Sequence, residues 1–220
     1  MAPPIHIRLE APIKASAEAT WNKLIDTSTW PEWNPFVPEA TVVDASGAAH
    51  SSQVLKLDSL IDFVPVLNGK KYPTKQKVTV FEQPSSDEGK KIYRVSWATQ
   101  SYPSLLLSTH RFNEIEEVNA SECIYRTGED QWGPLAYITK MLFGTLVEQG
   151  IRDWVNGLKQ IMEKSKSRDL ADAERVQPRA KKKKLIHAPI SNMKPMLMAC
   201  SIFLIISRQM IISSATASEG

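Results

Sequence analysis

A long apolar stripe near residue 150 constrains the fold of this chain more than any other feature of the sequence. From Leu135 to Met162 apolar residues recur at steps of three and four, the spacing of one helical face. The stripe consists of Leu135, Ile138, Leu142, Leu146, Val147, Ile151, Trp154, Val155, Leu158, Ile161 and Met162. Gly133-Pro134 precedes it, and proline suits the first helical turn. We therefore predict a helix from about Leu135 to Lys164, which needs a broad apolar surface to cover it.

Segments of β type fill most of the chain before this helix. They are rich in β-branched and aromatic residues and are separated by turn clusters. They comprise residues 6–13, 41–44, 53–57, 76–82, 91–97, 105–116 and 122–132. Short connections between them favour antiparallel pairing over βαβ crossovers. The prediction is an α+β fold in which a curved seven-stranded antiparallel sheet wraps around the long C-terminal helix, with residues 58–74 as a loop at one end of the sheet.

A short helix and an aromatic segment follow the first strand. Ser16 is a candidate N-cap for a helix that ends near Asp26, with Ala17, Trp21, Leu24 and Ile25 on one face. Residues 30–36 read Trp-Pro-Glu-Trp-Asn-Pro-Phe, and each proline restricts the residue before it. At most one helical turn fits there, and the three aromatic side chains require burial.

Charge divides the chain into two parts. Residues 1–167 carry a net charge of −2, whereas residues 168–220 carry +5 and account for the net charge of +3 for the whole chain. We predict one folded domain over 1–167, followed by a basic linker and an apolar, unstructured tail over 168–220. Because the positive excess lies in the tail, no nucleic-acid partner is expected for the folded domain.

The tail allows several interpretations. Arg179 and Lys181–Lys184 are typical of a solvated basic linker, with nuclear targeting or contact with an anionic membrane as alternatives. Met196–Ile206 is apolar, but it is too short to cross a bilayer before Arg208 interrupts it. A C-terminal membrane anchor is therefore the alternative to an unstructured tail.

Cysteine usage and the N-terminus predict a cytoplasmic protein. Cys123 and Cys200 lie far apart and match neither a zinc-ligand spacing nor a disulfide framework. Residues 1–15 lack the basic start and apolar run of a secretory signal.

The order of predicted elements resembles that of the START and birch-pollen-allergen-like (SRPBCC) superfamily, and its motifs are similar to those of the polyketide cyclase/dehydrase-like branch. The matching motifs are Trp21 with Leu24 and Asp26, Trp33-Asn34-Pro35-Phe36, Trp97, His110-Arg111-Phe112 and Gly133-Pro134-Leu135. The resemblance covers residues 5–164. It implies a helix-grip fold with an internal cavity for a small hydrophobic molecule such as a lipid or a polyketide.

No established catalytic signature occurs in the sequence. It contains no Gly-x-Ser-x-Gly, phosphate loop, His-Glu-x-x-His or Gly-x-Gly-x-x-Gly, so we predict no cofactor and no metal site. Of the four histidines only His110 lies inside a predicted strand, in register with Ser108 and Phe112. If that face lines the cavity, His110 is a candidate acid/base or hydrogen-bond donor. A histidine satisfied by polar neighbours is the alternative.

The candidate ligand-binding residues are aromatic or polar side chains on the predicted strands and in the aromatic segment. They are Trp33, Asn34, Trp97, His110, Phe112, Tyr125 and Trp132. Ordinary core packing, or a turn in the case of Asn34, is the alternative for each. Two function classes stay open: a carrier or binding module, and a cyclase or dehydratase that uses polar groups of the cavity for proton transfer. The lack of a catalytic dyad favours the first.

Overall fold

The computed structural model describes residues 2–84 and 91–176. Seven strands form one antiparallel sheet in the order β1-β9-β8-β7-β6-β3-β2. These strands are β1 (Ile5–Ile13), β2 (Glu39–Val43), β3 (Leu60–Val64), β6 (Thr74–Glu82), β7 (Ile92–Thr99), β8 (Ser108–Asn119) and β9 (Glu122–Trp132). A separate two-stranded hairpin consists of β4 (Val66–Leu67) and β5 (Lys70–Lys71). The predicted sheet is confirmed.

The long helix α2 (Pro134–Val176) packs on the inner face of the sheet. Trp154 is fully buried there, together with Val147, Ile151 and Leu158. In the first turns, however, Ile138 and Leu142 are exposed, so the stripe is covered only from about Val147 onward. The predicted helix is confirmed and extends past Lys164, because residues 165–176 are mostly strong helix formers.

A helix α1 (Ala17–Ile25) and a 3-10 helix (Thr27–Glu32) close one end of the sheet. The Ser16 side chain accepts a hydrogen bond from the backbone N–H of Ala19, as the capping pattern predicts. The rings of Trp30, Trp33 and Trp154 meet edge to face, with centroids 4.8 to 6.3 Å apart. This cluster buries the aromatic segment against α2.

One strand of the sheet differs from the prediction. Residues 58–74, predicted to be a loop, contain β3 and the β4–β5 hairpin, whereas residues 53–57 contribute only an isolated bridge at Val54. The alternation of buried Ile61 and Phe63 with half-exposed neighbours is a strand pattern, but Pro65 and Gly69 follow it closely and obscure it.

The predicted domain boundary after residue 167 falls inside α2. The basic run, the apolar run and the candidate anchor all lie outside the described residues. In the described part of the chain, no helix combines the length and the apolar character that crossing a membrane would require.

Candidate functional site

An internal cavity of about 240 Å³ lies between the inner face of the sheet and the first half of α2. Its apolar wall comes from Phe36, Phe63, Leu67, Trp97, Phe143 and Val147. Its polar side chains are Thr74, Gln76, Thr99, Thr109, Arg111, Glu129, Gln131 and Thr139. A mostly apolar wall with a few polar groups is typical of a small-molecule site.

A larger depression of about 500 Å³ lies between α1 and the second half of α2. Charged side chains line it, among them Lys23, Glu32 and Lys164, and the Glu32 side chain is mostly exposed. Because charged side chains line this depression, whereas a mostly apolar wall lines the cavity between the sheet and α2, that cavity is the candidate site.

Arg111, on β8, is the charged group buried most deeply in the cavity wall. Only 2% of its surface is exposed, and none of its three side-chain nitrogens makes a hydrogen bond to a residue that the structure describes. The nearest carboxylate belongs to Glu129, whose Oε2 lies 3.8 Å from Nη1. The guanidinium also lies 4.4 Å from the ring centroid of Trp154, a cation–π contact.

Burial lowers the pKa of Arg111, and the neighbouring Tyr125 and Glu129 oppose that shift. A guanidinium nevertheless remains charged in proteins. The cavity therefore contains a positive charge with hydrogen-bond donors that the surrounding protein leaves unused.

Glu129 and Gln131 follow on β9, on the same face as Arg111. Gln131 Nε2 donates to Glu129 Oε1 at 2.5 Å. The other end of the amide, Gln131 Oε1, is buried and has no hydrogen-bond partner among the described residues. The cavity wall thus offers unused donors on Arg111 and an unused acceptor on Gln131.

A hydrogen-bonded network beneath the cavity fixes α2 to the sheet. The Tyr125 hydroxyl donates to Asn113 Oδ1 at 2.7 Å and accepts from Trp154 Nε1 at 2.8 Å. Thr127 Oγ1 also donates to Asn113 Oδ1, at 2.9 Å. Burial raises the pKa of Tyr125, so its hydroxyl keeps the proton that it donates. Tyr125 therefore supports the site from below rather than lining the cavity.

Of the ligand-binding residues predicted from the sequence, Trp97 lines the cavity. Trp33 and Asn34 are buried, but they border a separate groove along α2. Asn34 Oδ1 accepts from the backbone N–H of Val37 at 2.9 Å, which is the turn role named as its alternative.

His110 and Phe112 lie on the outer face of the sheet. Side chains alternate along a strand, and Arg111 between them points inward. Phe112 packs outside under the guanidinium of Arg8, whose Cζ lies 4.9 Å from the ring centroid. Trp132, at the end of β9, is 37% exposed on the same outer side. A shift of one residue in the assumed facing of a strand moves every side chain to the other surface of the sheet. The structure therefore corrects the placement predicted for His110, Phe112 and Trp132, which lie outside the cavity.

The sequence contained a signal for the correct facing. Ile115 shares the parity of Arg111 and is fully buried, whereas Glu114 has the parity of His110. Ile115 and Glu114, in the middle of β8, therefore distinguish its inner face from its outer face. Arg111, Glu129 and Gln131 were not predicted as site residues, because charged residues at strand positions are usually solvated.

Comparison with known proteins gives one curated relative. No protein-family model matches the chain. A protein of Penicillium oxalicum named oxopyrrolidines biosynthesis cluster protein O is 32% identical over 174 residues, which cover 70% of this chain and 84% of that protein. The chain belongs to the family of this Penicillium protein.

Three solved structures with the same fold come from bacterial proteins. Hypothetical protein jhp0584 of Helicobacter pylori has a TM-score of 0.57 at 15% identity and covers 73% of this chain and 89% of its own. A START superfamily protein of Mycobacterium smegmatis has a TM-score of 0.50 at 13% identity, and the match covers 72% of this chain and 97% of that protein. The Zhui aromatase/cyclase of Streptomyces sp. R1128 has a TM-score of 0.51 at 11% identity, and the match covers 72% of this chain and 93% of that protein. At these identities the likeness concerns the fold alone, and it confirms the predicted helix-grip fold.

The arrangement has two chemical capacities. It can hold an apolar molecule against aromatic rings while Arg111 donates a hydrogen bond to a carbonyl oxygen of that molecule. It also places the Glu129 carboxylate beside that donor, where a base would be needed for proton abstraction next to a carbonyl. Among residues 2–84 and 91–176, no group of three His, Cys, Asp or Glu side chains is arranged to hold a metal ion.

Proposed function

We propose that this protein binds a small, largely apolar molecule in the internal cavity and acts as a carrier or binding module. One observation carries the proposal: the cavity combines an aromatic wall with a buried guanidinium whose donors no described residue uses. Aromatic and aliphatic burial supplies affinity, and a single polar anchor fixes orientation. The curated relative, named for a biosynthesis cluster, is consistent with a small organic ligand.

The volume limits the size of that ligand. About 240 Å³ lies just below the range of about 300–1,000 Å³ typical of pockets for drug-sized ligands. A molecule of the size of two fused aromatic rings suits this space. A long-chain lipid would need an opening elsewhere or a rearrangement of α2.

Calorimetric titration with 2-naphthol tests the proposal, because a saturable heat of binding reports occupation of a defined site. Molecules that co-purify with the full-length protein should also be extracted and identified by mass spectrometry. Thr139→Phe places a ring in the cavity and should weaken binding at least tenfold. Lys140→Phe is the matched control, because Lys140 is exposed beside it and the new ring faces solvent. Equal weakening by both variants, or no binding by the wild type, contradicts the proposal.

The second candidate is an enzyme of the cyclase or dehydratase type. The observation that favours it is the Glu129 carboxylate, 3.8 Å from the guanidinium of Arg111 inside the cavity wall. In such a reaction Glu129 would take a proton from the carbon next to a carbonyl, and Arg111 would stabilise the enolate oxygen.

Exchange of the methyl protons of 2-acetylnaphthalene for deuterium in D₂O separates the two functions. Each turnover breaks one C–H bond at the methyl group and returns a deuteron to the same carbon. An enzyme should accelerate the exchange seen by NMR, and Glu129→Gln should abolish the acceleration. Binding without acceleration supports the carrier.

A further inference from the structure

The cavity wall carries two polar groups that have no hydrogen-bond partner among the described residues, and they differ in kind. The Arg111 nitrogens can only donate hydrogen bonds, and the unpartnered Gln131 Oε1 can only accept one. Both side chains line the cavity, and buried polar groups are normally satisfied. These atoms expose almost no surface to the cavity. A molecule that binds here therefore reaches them only after a small movement of the two side chains, and it then meets one donor group and one acceptor group.

The orientation of the Gln131 amide follows from its neighbour. A carboxylate has only acceptors, so the end of Gln131 that lies 2.5 Å from Glu129 Oε1 must be the NH₂ group. Rotating the amide would place two oxygens against each other. The oxygen that remains free is thus fixed by chemistry and does not depend on a choice between similar atoms.

Charge balance decides against an anionic ligand. Arg111 and Glu129 lie opposite each other in the ladder between β8 and β9, with their charged groups 3.8 Å apart. A neutral ligand leaves this pair balanced. A ligand carboxylate would place two buried anions against one guanidinium, at a desolvation cost that the single cation does not offset.

The strand register brings the donor and the acceptor within reach of one small molecule. Arg111 pairs with Glu129, and Thr109 pairs with Gln131, so Arg111 and Gln131 are diagonal neighbours on the inner face. Such neighbours lie about 7–8 Å apart at the backbone, a separation that long side chains bridge.

We propose that the ligand of this cavity has a neutral polar edge in which a hydrogen-bond acceptor stands beside a donor. The acceptor receives an N–H of Arg111, and the donor contacts Gln131 Oε1. A lactam, with C=O next to N–H, has this edge. The inference rests on the proposed function, since it assigns the polar end of a ligand held in that cavity.

Calorimetric titration of the full-length protein with four bicyclic probes tests the inference. 2-Quinolone has the acceptor–donor edge, and N-methyl-2-quinolone lacks the donor. 3-Methyl-2-quinolone is the control for size, because it adds the same methyl group and keeps the N–H. Naphthalene-2-carboxylate is the anionic probe. We expect the two N–H quinolones to bind about tenfold or more tightly than both other probes, because loss of the donor leaves a buried acceptor unpaired.

Gln131→Met removes the acceptor while keeping the length of the side chain. In this variant 2-quinolone and N-methyl-2-quinolone should bind alike. Equal affinities of the quinolones in the wild type, or tighter binding of the carboxylate, would overturn the inference and leave the proposed function standing. Failure of all four probes to bind would overturn both. Because the comparison of the four probes uses the wild type, it tests the inference even if Gln131→Met does not fold.

Discussion

Arg111 occupies an inner position of the sheet at which folded proteins usually place an apolar side chain. Its guanidinium is held by Trp154, Phe36 and Glu129, without a hydrogen bond to any described residue. Burying an ion in this way costs several kcal/mol that an imperfect ion pair does not fully return. Packing alone therefore gives no reason for an arginine here, whereas ligand binding does.

The double variant Arg111→Met/Glu129→Gln separates stability from binding. Replacing a buried ion pair by residues of similar shape is often neutral or stabilising, so its melting temperature should equal or exceed that of the wild type. Binding of 2-naphthol should fall at least tenfold. Single Arg111→Met should be less stable than the double variant, because it leaves Glu129 without its cation. A double variant that binds normally would show that the pair is structural.

His110→Ala should leave binding of 2-naphthol within about twofold of the wild type, because His110 lies on the outer face. Thr109→Val, one residue earlier on the inner face, is the matched comparison and should change the affinity measurably. Calorimetric titration of both variants checks this. Loss of binding in His110→Ala alone would mean that the facing of β8 is misassigned.

The sequence suggested Trp97 as a ligand-binding residue but did not suggest Arg111, although both side chains line the same cavity. A tryptophan in a strand is expected to be buried, so its location follows from hydrophobicity alone. Arg111 could not be identified in this way, because a polar residue on a strand normally marks the solvent face. The inner walls of binding cavities are exceptions to this rule. Polar functional residues on such walls are therefore the residues that an argument from alternation assigns to the wrong face of the sheet.

Two glycines let α2 approach the aromatic segment closely. Gly150 and Gly157 are seven residues apart and lie on one helical face. A Cβ atom at Gly157 would overlap the carbonyl oxygen of Trp33, and one at Gly150 would overlap the ring of Phe36. The helix that covers the cavity therefore packs directly against the Trp-Asn-Pro-Phe segment.

Gly157→Ala and Gly144→Ala form a matched pair within this helix. Alanine at Gly144 meets only the Lys140 side chain at 3.7 Å, so it should stabilise the protein by up to about 1 kcal/mol through helix propensity. Alanine at Gly157 forces the backbone of Trp33 away and should destabilise by about 1–3 kcal/mol. Urea denaturation measures both. Equal stabilisation by both substitutions would contradict the close packing of α2 on Trp33.

Elements with a long periodic signal were predictable, and short ones were not. The stripe of α2 extends over several turns, so its period is clear, whereas β3 has five residues and lies between turn-forming residues. The segment 53–57 has strand composition, yet Val54 contributes only one bridge, to Asp26. Propensity identifies segments that fit a pleated surface, but neighbouring strands decide which of them pair.

At the scale of the whole molecule, the described residues contain the sheet, α2 and the cavity between them. Removing residues 178–220 should therefore leave the melting temperature within a few degrees and binding of 2-naphthol unchanged. Thermal denaturation followed by circular dichroism tests this. A large loss of stability would show that the removed segment packs on the domain, and membrane binding by the full-length protein alone would support an anchor.

The central claim is that a small apolar molecule binds between the sheet and the first half of α2. The most direct test follows the six tryptophan indole N–H signals by NMR while 2-naphthol is added to ¹⁵N-labelled protein. Trp97 lines the cavity, Trp33 borders the separate groove, and Trp132 is exposed outside. We predict that the Trp97 signal, assigned through Trp97→Phe, shifts saturably while that of Trp132 does not. A saturable shift of Trp132 or Trp33 with an unchanged Trp97 would contradict the claim.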